Sequence, residues 1–184
     1  MTNLWFTADT HFGHKAIIGY ENRPFEDVDN MDAELILRWN EAVAPDDTIY
    51  HLGDFSLTRK DITRAIFDQL NGHKHLILGN HDSQRSNGWW RDVGFETVQM
   101  SYLLDTGSLL LYLVHDPLKI QEAMEQYADA EVLFLHGHVH GKKRLWEPNS
   151  CIVHVGVDAW DYRPVSLQEL TQTVGLDVEW SGSI

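Results

Sequence analysis

The sequence is short of cysteine, of proline and of positive charge. A single cysteine, Cys151, in 184 residues excludes an internal disulfide and fits a reducing compartment. With five prolines and no Pro/Ser/Gly tract, there is no low-complexity segment. Fourteen Lys and Arg stand against 28 Asp and Glu, a formal charge of −14. That balance disfavours non-specific nucleic-acid binding, which needs a basic footprint. The longest purely apolar run, Leu109 to Val114, is far below the roughly 18 residues that suggest a membrane span. The opening Met1-Thr2-Asn3-Leu4-Trp5-Phe6 has no basic n-region and no cleavable apolar segment. A cytoplasmic protein with no membrane partner is expected. No stretch has linker composition, so residues 1–184 read as one domain.

Short apolar runs alternate with amphipathic stretches. Asn30 is expected to cap a helix to about Val43, with Leu35, Ile36, Trp39 and Val43 on one face. A second helix should start at Thr58-Arg59-Lys60-Asp61 and bury Ile62, Ala65, Ile66 and Leu70. Ser166-Leu167-Gln168-Glu169 is a capping-box signature, and a further helix fits Lys119 to Tyr127. Strands are expected at Leu4–Thr7, Thr48–Leu52, His75–Leu78, Glu96–Ser101, Leu109–Val114, Glu131–Leu135, Ile152–Val157 and Leu176–Trp180. The alternation argues for α/β layers, and the sparser helices later in the chain for a mixed sheet or a sheet-on-sheet sandwich.

Histidine is what the chain has in plenty, eleven in all. Its placement is more telling than its number. Leu4-Trp5-Phe6 is followed by Asp9 and His11, and Ile49-Tyr50-His51-Leu52 by Gly53-Asp54. Leu76-Ile77-Leu78 is followed by Gly79-Asn80-His81-Asp82, and Leu111-Tyr112-Leu113-Val114 by His115. Val132 to His136 is followed by Gly137-His138-Val139-His140. Ligands at the ends of several core strands can converge on one rim of a sheet. Oxygen from Asp and Asn with nitrogen from His suits Mn²⁺, Fe or Zn²⁺ better than Ca²⁺. Glycines remove Cβ atoms where the chain turns sharply beside a metal. His138 and His140 would face different metals only if their loop twists, which Gly137 and Gly141 would permit.

These five blocks, in this order from Asp9 to His140, resemble the calcineurin-like metallophosphoesterases, in particular their small bacterial and phage-type phosphoesterases. The resemblance implies a four-layer α/β/β/α sandwich of two mixed sheets flanked by helices, with a dinuclear site. It places Asp9, His11, Asp54 and His140 on one metal and Asp54, Asn80, His115 and His138 on the other, with Asp54 bridging. The ions would be two divalent cations, Mn²⁺ first, with Fe, Zn²⁺, Ni²⁺ or Co²⁺ as alternatives. Such a pair, roughly 3.5–4 Å apart, lowers the pKa of a shared water and supplies a hydroxide for in-line attack on phosphorus. His81 matches the family's non-ligand histidine and would assist the leaving group, with Asp82 as a candidate to orient it.

Other polar residues have plainer readings. His73, His75 and His154 read as structural or surface histidines, and His51 and His136 as core groups or supports behind the ligands. His14, three residues after His11, is a candidate substrate contact. Arg23 is either a bidentate clamp on a substrate phosphate or a solvated loop arginine. Lys142, with Lys143 and Arg144, directly follows the last motif and is placed to guide phosphate; a solvated turn is the alternative. Asn40 reads as an amide bonding a neighbouring backbone, and Trp89-Trp90 as packing. Asp158 and Trp160 would either line the pocket or cover the core.

The chain lacks the arginine-containing extension that follows Gly-Asp in the family's Ser/Thr protein phosphatases; it reads Gly53-Asp54-Phe55-Ser56-Leu57-Thr58-Arg59. A phosphodiesterase acting on a small phosphorylated substrate is expected, with a phosphomonoesterase or nucleotide phosphohydrolase as the alternative. A nuclease would need a basic groove, which the charge argues against. A non-catalytic scaffold would be expected to have lost a ligand or His81, and none is missing.

Overall fold

A computed structural model describes residues 2–128, 130–145 and 150–176. Alternating apolar residues build strands whose two faces are both covered. In β1 (Leu4–Thr7) and β2 (Thr48–His51), Leu4, Phe6 and Tyr50 point to one side, Trp5 and Ile49 to the other. In β7 (Val132–His136), Leu133 and Leu135 face inward, Val132 and Phe134 outward. Strands apolar on both faces must be sandwiched between two layers.

The first sheet has order β4-β3-β2-β1-β9, adding β3 (His73–Ile77), β4 (Thr97–Gln99) and β9 (Val165–Ser166). β1 to β4 pair in parallel; β9 is antiparallel to β1. The second sheet has order β5-β6-β7-β8, from β5 (Ser101–Asp105), β6 (Leu110–Val114), β7 and β8 (Ile152–His154). Only the β5–β6 pair is antiparallel. Between the sheets lie Leu4, Phe6, Leu111, Leu113, Leu133 and Leu135, all at most 2% exposed. Outside the first sheet, α1 (Lys15–Tyr20), α2 (Val28–Ala42), α3 (Lys60–Phe67) and α4 (Asn87–Val93) pack through Ile17, Trp39, Ile66, Phe67 and Trp90. Outside the second, α5 (Ile120–Gln126) packs through Ile120 and Ala123. The result is the α/β/β/α sandwich, two mixed sheets flanked by helices. Among the described residues no helix is long and apolar enough to cross a membrane.

Several local expectations shift. The helix α2 starts two residues before Asn30, and Asp27 is its cap: its carboxylate accepts from the Asn30 amide at 2.8 Å. In α3 the buried face is rotated by a residue. Ile62 is 43% exposed, Ala65 is exposed, and Thr63, Ile66 and Phe67 face the core. Thr63 goes inside because its hydroxyl has partners there, Thr58 Oγ1 at 2.8 Å and Ser56 Oγ at 3.2 Å. The single strand expected over Glu96–Ser101 is two: β4 ends in one sheet, and β5 begins the other after Met100. The capping box at Ser166 and Glu169 forms at the start of helix α6 (Leu167–Thr173). Of the strand expected over Leu176–Trp180, residues 177–180 lie outside the described residues.

Candidate metal centre

Parallel strands put their C-terminal ends on one edge, so the loops after β1, β2, β3, β6 and β7 share a rim. The two sheets meet there: Ala8 bridges to Gly156, and Val157 N donates to the Ala8 carbonyl at 3.0 Å. The rim backbone is strained. Asp9, His11, Asp54, His138 and His140 all have positive φ, from 47° to 76°. Each such non-glycine residue costs about 1–3 kcal/mol, and such residues cluster at functional sites. The twist expected of Gly137 and Gly141 thus falls on the histidines themselves. Gly137 makes room instead, because a Cβ there would sit 2.8 Å from Asp9 Oδ2. Gly79 does the same for Asp54, where a Cβ would collide with Oδ1.

One set of donors is drawn tightly together. Asn80 Oδ1 lies 3.1 Å from His115 Nε2 and 3.0 Å from His138 Nδ1. His138 Nδ1 is 3.2 Å from His115 Nε2, which is 3.5 Å from Asp54 Oδ2. A coordination shell with bonds of about 2.1 Å has edges of about 3.0–3.4 Å. His115 Nδ1 is 2.7 Å from the Leu52 carbonyl, so that nitrogen carries the proton and Nε2 is the free ligand atom. Burial pushes the His115 imidazole down, but the Asp54 and Asp9 carboxylates outweigh it and lift it to about 9, so Nε2 becomes the ligand atom when a cation displaces its proton.

A second set sits deeper. Asp9 is 0% and His11 1% exposed, with His140 beside them. His11 Nε2 is buried with no hydrogen-bond partner and lies 3.6 Å from Asp54 Oδ2. Its other nitrogen, Nδ1, is 3.1 Å from Nδ1 of His14. Burial drives the His11 imidazole down to about 3, so it is neutral and available to a metal. The Asp9 carboxylate accepts from His138 N at 2.9 Å. Burial alone would raise its pKa, but the surrounding histidines, His154 first, hold it well below the usual range. Ligand atoms of Asp9, His11 and His140 lie within 4.8 Å of one another, and so do those of Asp9, Asp54 and His115. An orphaned buried imidazole nitrogen, with mixed oxygen and nitrogen donors at these spacings, fits divalent transition metals.

The remaining candidates divide. The half-buried His81 ring lies beside the Asp54 carboxylate, its Nε2 3.9 Å from Oδ2. His14 is beside it, ring centres 6.2 Å apart. Lys142 is exposed at the rim. Asp82 does not orient His81. It is fully buried and accepts from the backbone amides of Asp54 at 2.6 Å, Gly79 at 2.9 Å and Phe55 at 3.1 Å. Adjacent side chains point apart here, and Asp82 locks the turn that carries Asp54. Burial pushes its pKa up to about 6.

Arg23 is neither a phosphate clamp nor solvated. It is 4% exposed, and its guanidinium is taken up by Asp158 and by the carbonyls of Asp9 and Thr10. The sequence offered Asp158 only as a pocket-lining or covering residue; it lies between Arg23 and His140. His154, read as a plain structural histidine, is buried 3.7 Å from Asp9 Oδ2. Its place at the end of β8, on the ligand-bearing edge, was the available signal. Trp160 covers the core at 2% exposure, and Trp90 packs fully buried with Nε1 donating to the Asp82 carbonyl at 3.0 Å. Asn40 bonds backbone, donating to Gln69 O at 2.7 Å and accepting from Asn71 N at 2.8 Å. A cavity of about 180 Å³ adjoins Asn80, His115 and His138 and is walled by Ser83, Met100 and Lys119.

Comparison with known proteins agrees with this fold. The Gene 66 protein of Mycobacterium phage D29 is 32% identical, covering 97% of this chain and 98% of that protein. An uncharacterized protein of Methanocaldococcus jannaschii is 28% identical, covering 95% and 92%. The solved structure of a protein of unknown function from Aquifex aeolicus shares the fold with TM-score 0.72 at 24% identity, over 94% of this chain and 99% of that one. A structure described as a novel archaeal phosphodiesterase shares it with TM-score 0.53 at 19% identity, covering 84% and 82%. The model of the calcineurin-like phosphoesterase superfamily domain matches residues 3–161, and the chain belongs to that superfamily.

Proposed function

We propose that the protein is a phosphodiesterase that uses two divalent cations on a small phosphorylated substrate. Asp9, His11, Asp54 and His140 hold one ion; Asp54, Asn80, His115 and His138 hold the other. Asp54 serves both, as a carboxylate with two oxygens can. The observation that carries this reading is the gathering of Asn80 Oδ1, His115 Nε2, His138 Nδ1 and Asp54 Oδ2 at 3.0–3.5 Å. Four donor atoms from four separate loops, each within the edge length of a coordination shell of the next, are what a shared cation needs. Mn²⁺ is the first choice for such oxygen and nitrogen donors, ahead of Fe, Zn²⁺, Ni²⁺ and Co²⁺.

Bound there, the ions supply Lewis acidity toward phosphoryl oxygens and an activated water. The chain's own residues do the rest. His81, half-buried beside Asp54, donates a proton to the leaving oxygen or a hydrogen bond to a phosphoryl oxygen. Asp82 keeps the Asp54 turn rigid through three backbone amides. The cavity walled by Ser83, Met100 and Lys119 gives room for an ester substituent beyond the reacting phosphate, which favours a diester. Lys142, exposed at the rim, draws the anionic substrate in.

The test is hydrolysis of paired mono- and diester substrates by Mn²⁺-loaded protein, with cyclic nucleotides and short oligonucleotides in the panel. Faster diester turnover, abolished by chelation and restored by Mn²⁺, is expected. Turnover of monoesters alone would overturn the diesterase reading. Failure to take up two equivalents of any transition metal would overturn the dinuclear one.

A further inference from the structure

Arg23 and Asp158 are 135 positions apart in the chain and meet in the interior, at 4% and 8% exposure. The guanidinium grips the carboxylate with two arms: Nε donates to Oδ1 at 2.9 Å and Nη2 to Oδ2 at 2.8 Å. Its other donors reach the carbonyls of Asp9 at 2.7 Å and Thr10 at 3.1 Å. On the far side, Asp158 Oδ2 lies 3.3 Å from Nδ1 of His140. His140 Nε2 is turned toward Asp9 Oδ1, 4.0 Å away. A buried ion pair contributes little net stability, because desolvating both partners offsets their attraction. Its position says more than its energy: it touches the side chain of one residue assigned above to that ion, His140, and the backbone of another, Asp9, and neither of the exposed pair, Asn80 and His138.

We propose that Arg23 and Asp158 are positioning residues for the ion held by Asp9, His11 and His140. The inference rests on the two-metal reading given above. A neutral imidazole carries one N–H, and a carboxylate at Nδ1 keeps it there, so Nε2 is left as the ligand atom. Asp158 does this for His140. Arg23 fixes the orientation of Asp158 by its planar fork and, with the same group, pins the backbone that carries Asp9. One guanidinium thereby sets the spacing between ligands that come from opposite ends of the chain. The other histidines are oriented differently, His115 by the Leu52 carbonyl and His11 by His14. Among the described residues, the Arg23–Asp158 pair is the supporting group that reaches two ligands of this one ion.

The experiment is calorimetric titration of metal-free full-length protein with Mn²⁺, with ¹⁵N NMR of the histidine rings in the Zn²⁺-loaded form. Wild type should bind two ions, with His140 protonated at Nδ1 and coordinated through Nε2. Asp158→Asn should weaken one ion about 10–100-fold and leave the other unchanged. Arg23→Lys, which keeps the charge but loses the fork, should weaken the same ion by less. Wild-type affinities for both ions in Asp158→Asn would overturn the inference. So would an equal loss of both, which marks general damage. Should Asp158→Asn fail to fold, the wild-type spectrum still decides: coordination of His140 through Nδ1 sinks the proposal. A wild type that binds fewer than two ions overturns the two-metal reading itself, a failure visible before any variant is made.

Discussion

The two halves of the metal-binding rim are built differently. Asp9 and His11 are buried, and with His140 they share positive φ. They are braced from behind by Arg23, Asp158, His14 and His154. Of Asn80, His115 and His138, two are exposed, only His138 has positive φ, and the cavity opens beside them. In the first half, protein groups occupy the donors and acceptors around the ligands. In the second, the ligands mainly contact one another. A half braced by protein holds its geometry before any ion arrives; an open half leaves coordination space and room for substrate. Asp54 joins them and is the point where the distinction disappears.

The largest expected effect comes from that joint. Asp54→Asn should remove both ions and reduce hydrolysis to the level of the metal-free protein, measured by metal content and initial rate. Retention of two tightly bound ions would show that the carboxylate is not shared. Next is His81→Ala, which should leave both halves filled. Turnover should fall about 100-fold or more on an ester with a poor leaving group, with metal content near wild type. Full turnover on that ester would remove His81 from the mechanism.

His14→Ala tests the bracing of the first half. Losing the partner of His11 Nδ1 should weaken one ion by about tenfold and leave the other unchanged, read by titration of metal-free protein. Equal weakening of both would erase the contrast between the halves. The smallest effect concerns Asp32, whose carboxylate accepts from Gly13 N at 3.0 Å and so supports the loop bearing His11. Burial raises its pKa from 3.8 to about 6. Between those values the unfolded chain has released a proton that the folded one keeps, so stability falls as pH rises from about 4 through about 6. Asp32→Asn should flatten that part of the melting-temperature profile of the metal-free protein. An unchanged slope would show that Asp32 titrates normally.

Much of this was legible because it is written in short windows. Strand alternation, the capping box at Ser166 and the ligand types after each apolar run all follow from neighbours within a few residues. Parallel strands then force those run ends onto one edge, so the rim could be expected before any fold was known. What failed shares one physical cause. The Thr63 hydroxyl faces the core because Thr58 and Ser56 meet it there. Asp82 serves the Asp54 turn rather than its own neighbour His81, because the β2 and β3 loops are adjacent in space. Met100 divides two sheets because partner strands on either side compete for one run. Arg23 read as a phosphate clamp or a solvated loop arginine because Asp158, its partner, arrives 135 residues later. Residue types and their order along the chain determined the layers and the ligand chemistry. Which polar groups satisfy one another across the interior was decided by tertiary structure alone, since a buried charge takes its partner from whatever the fold brings within reach.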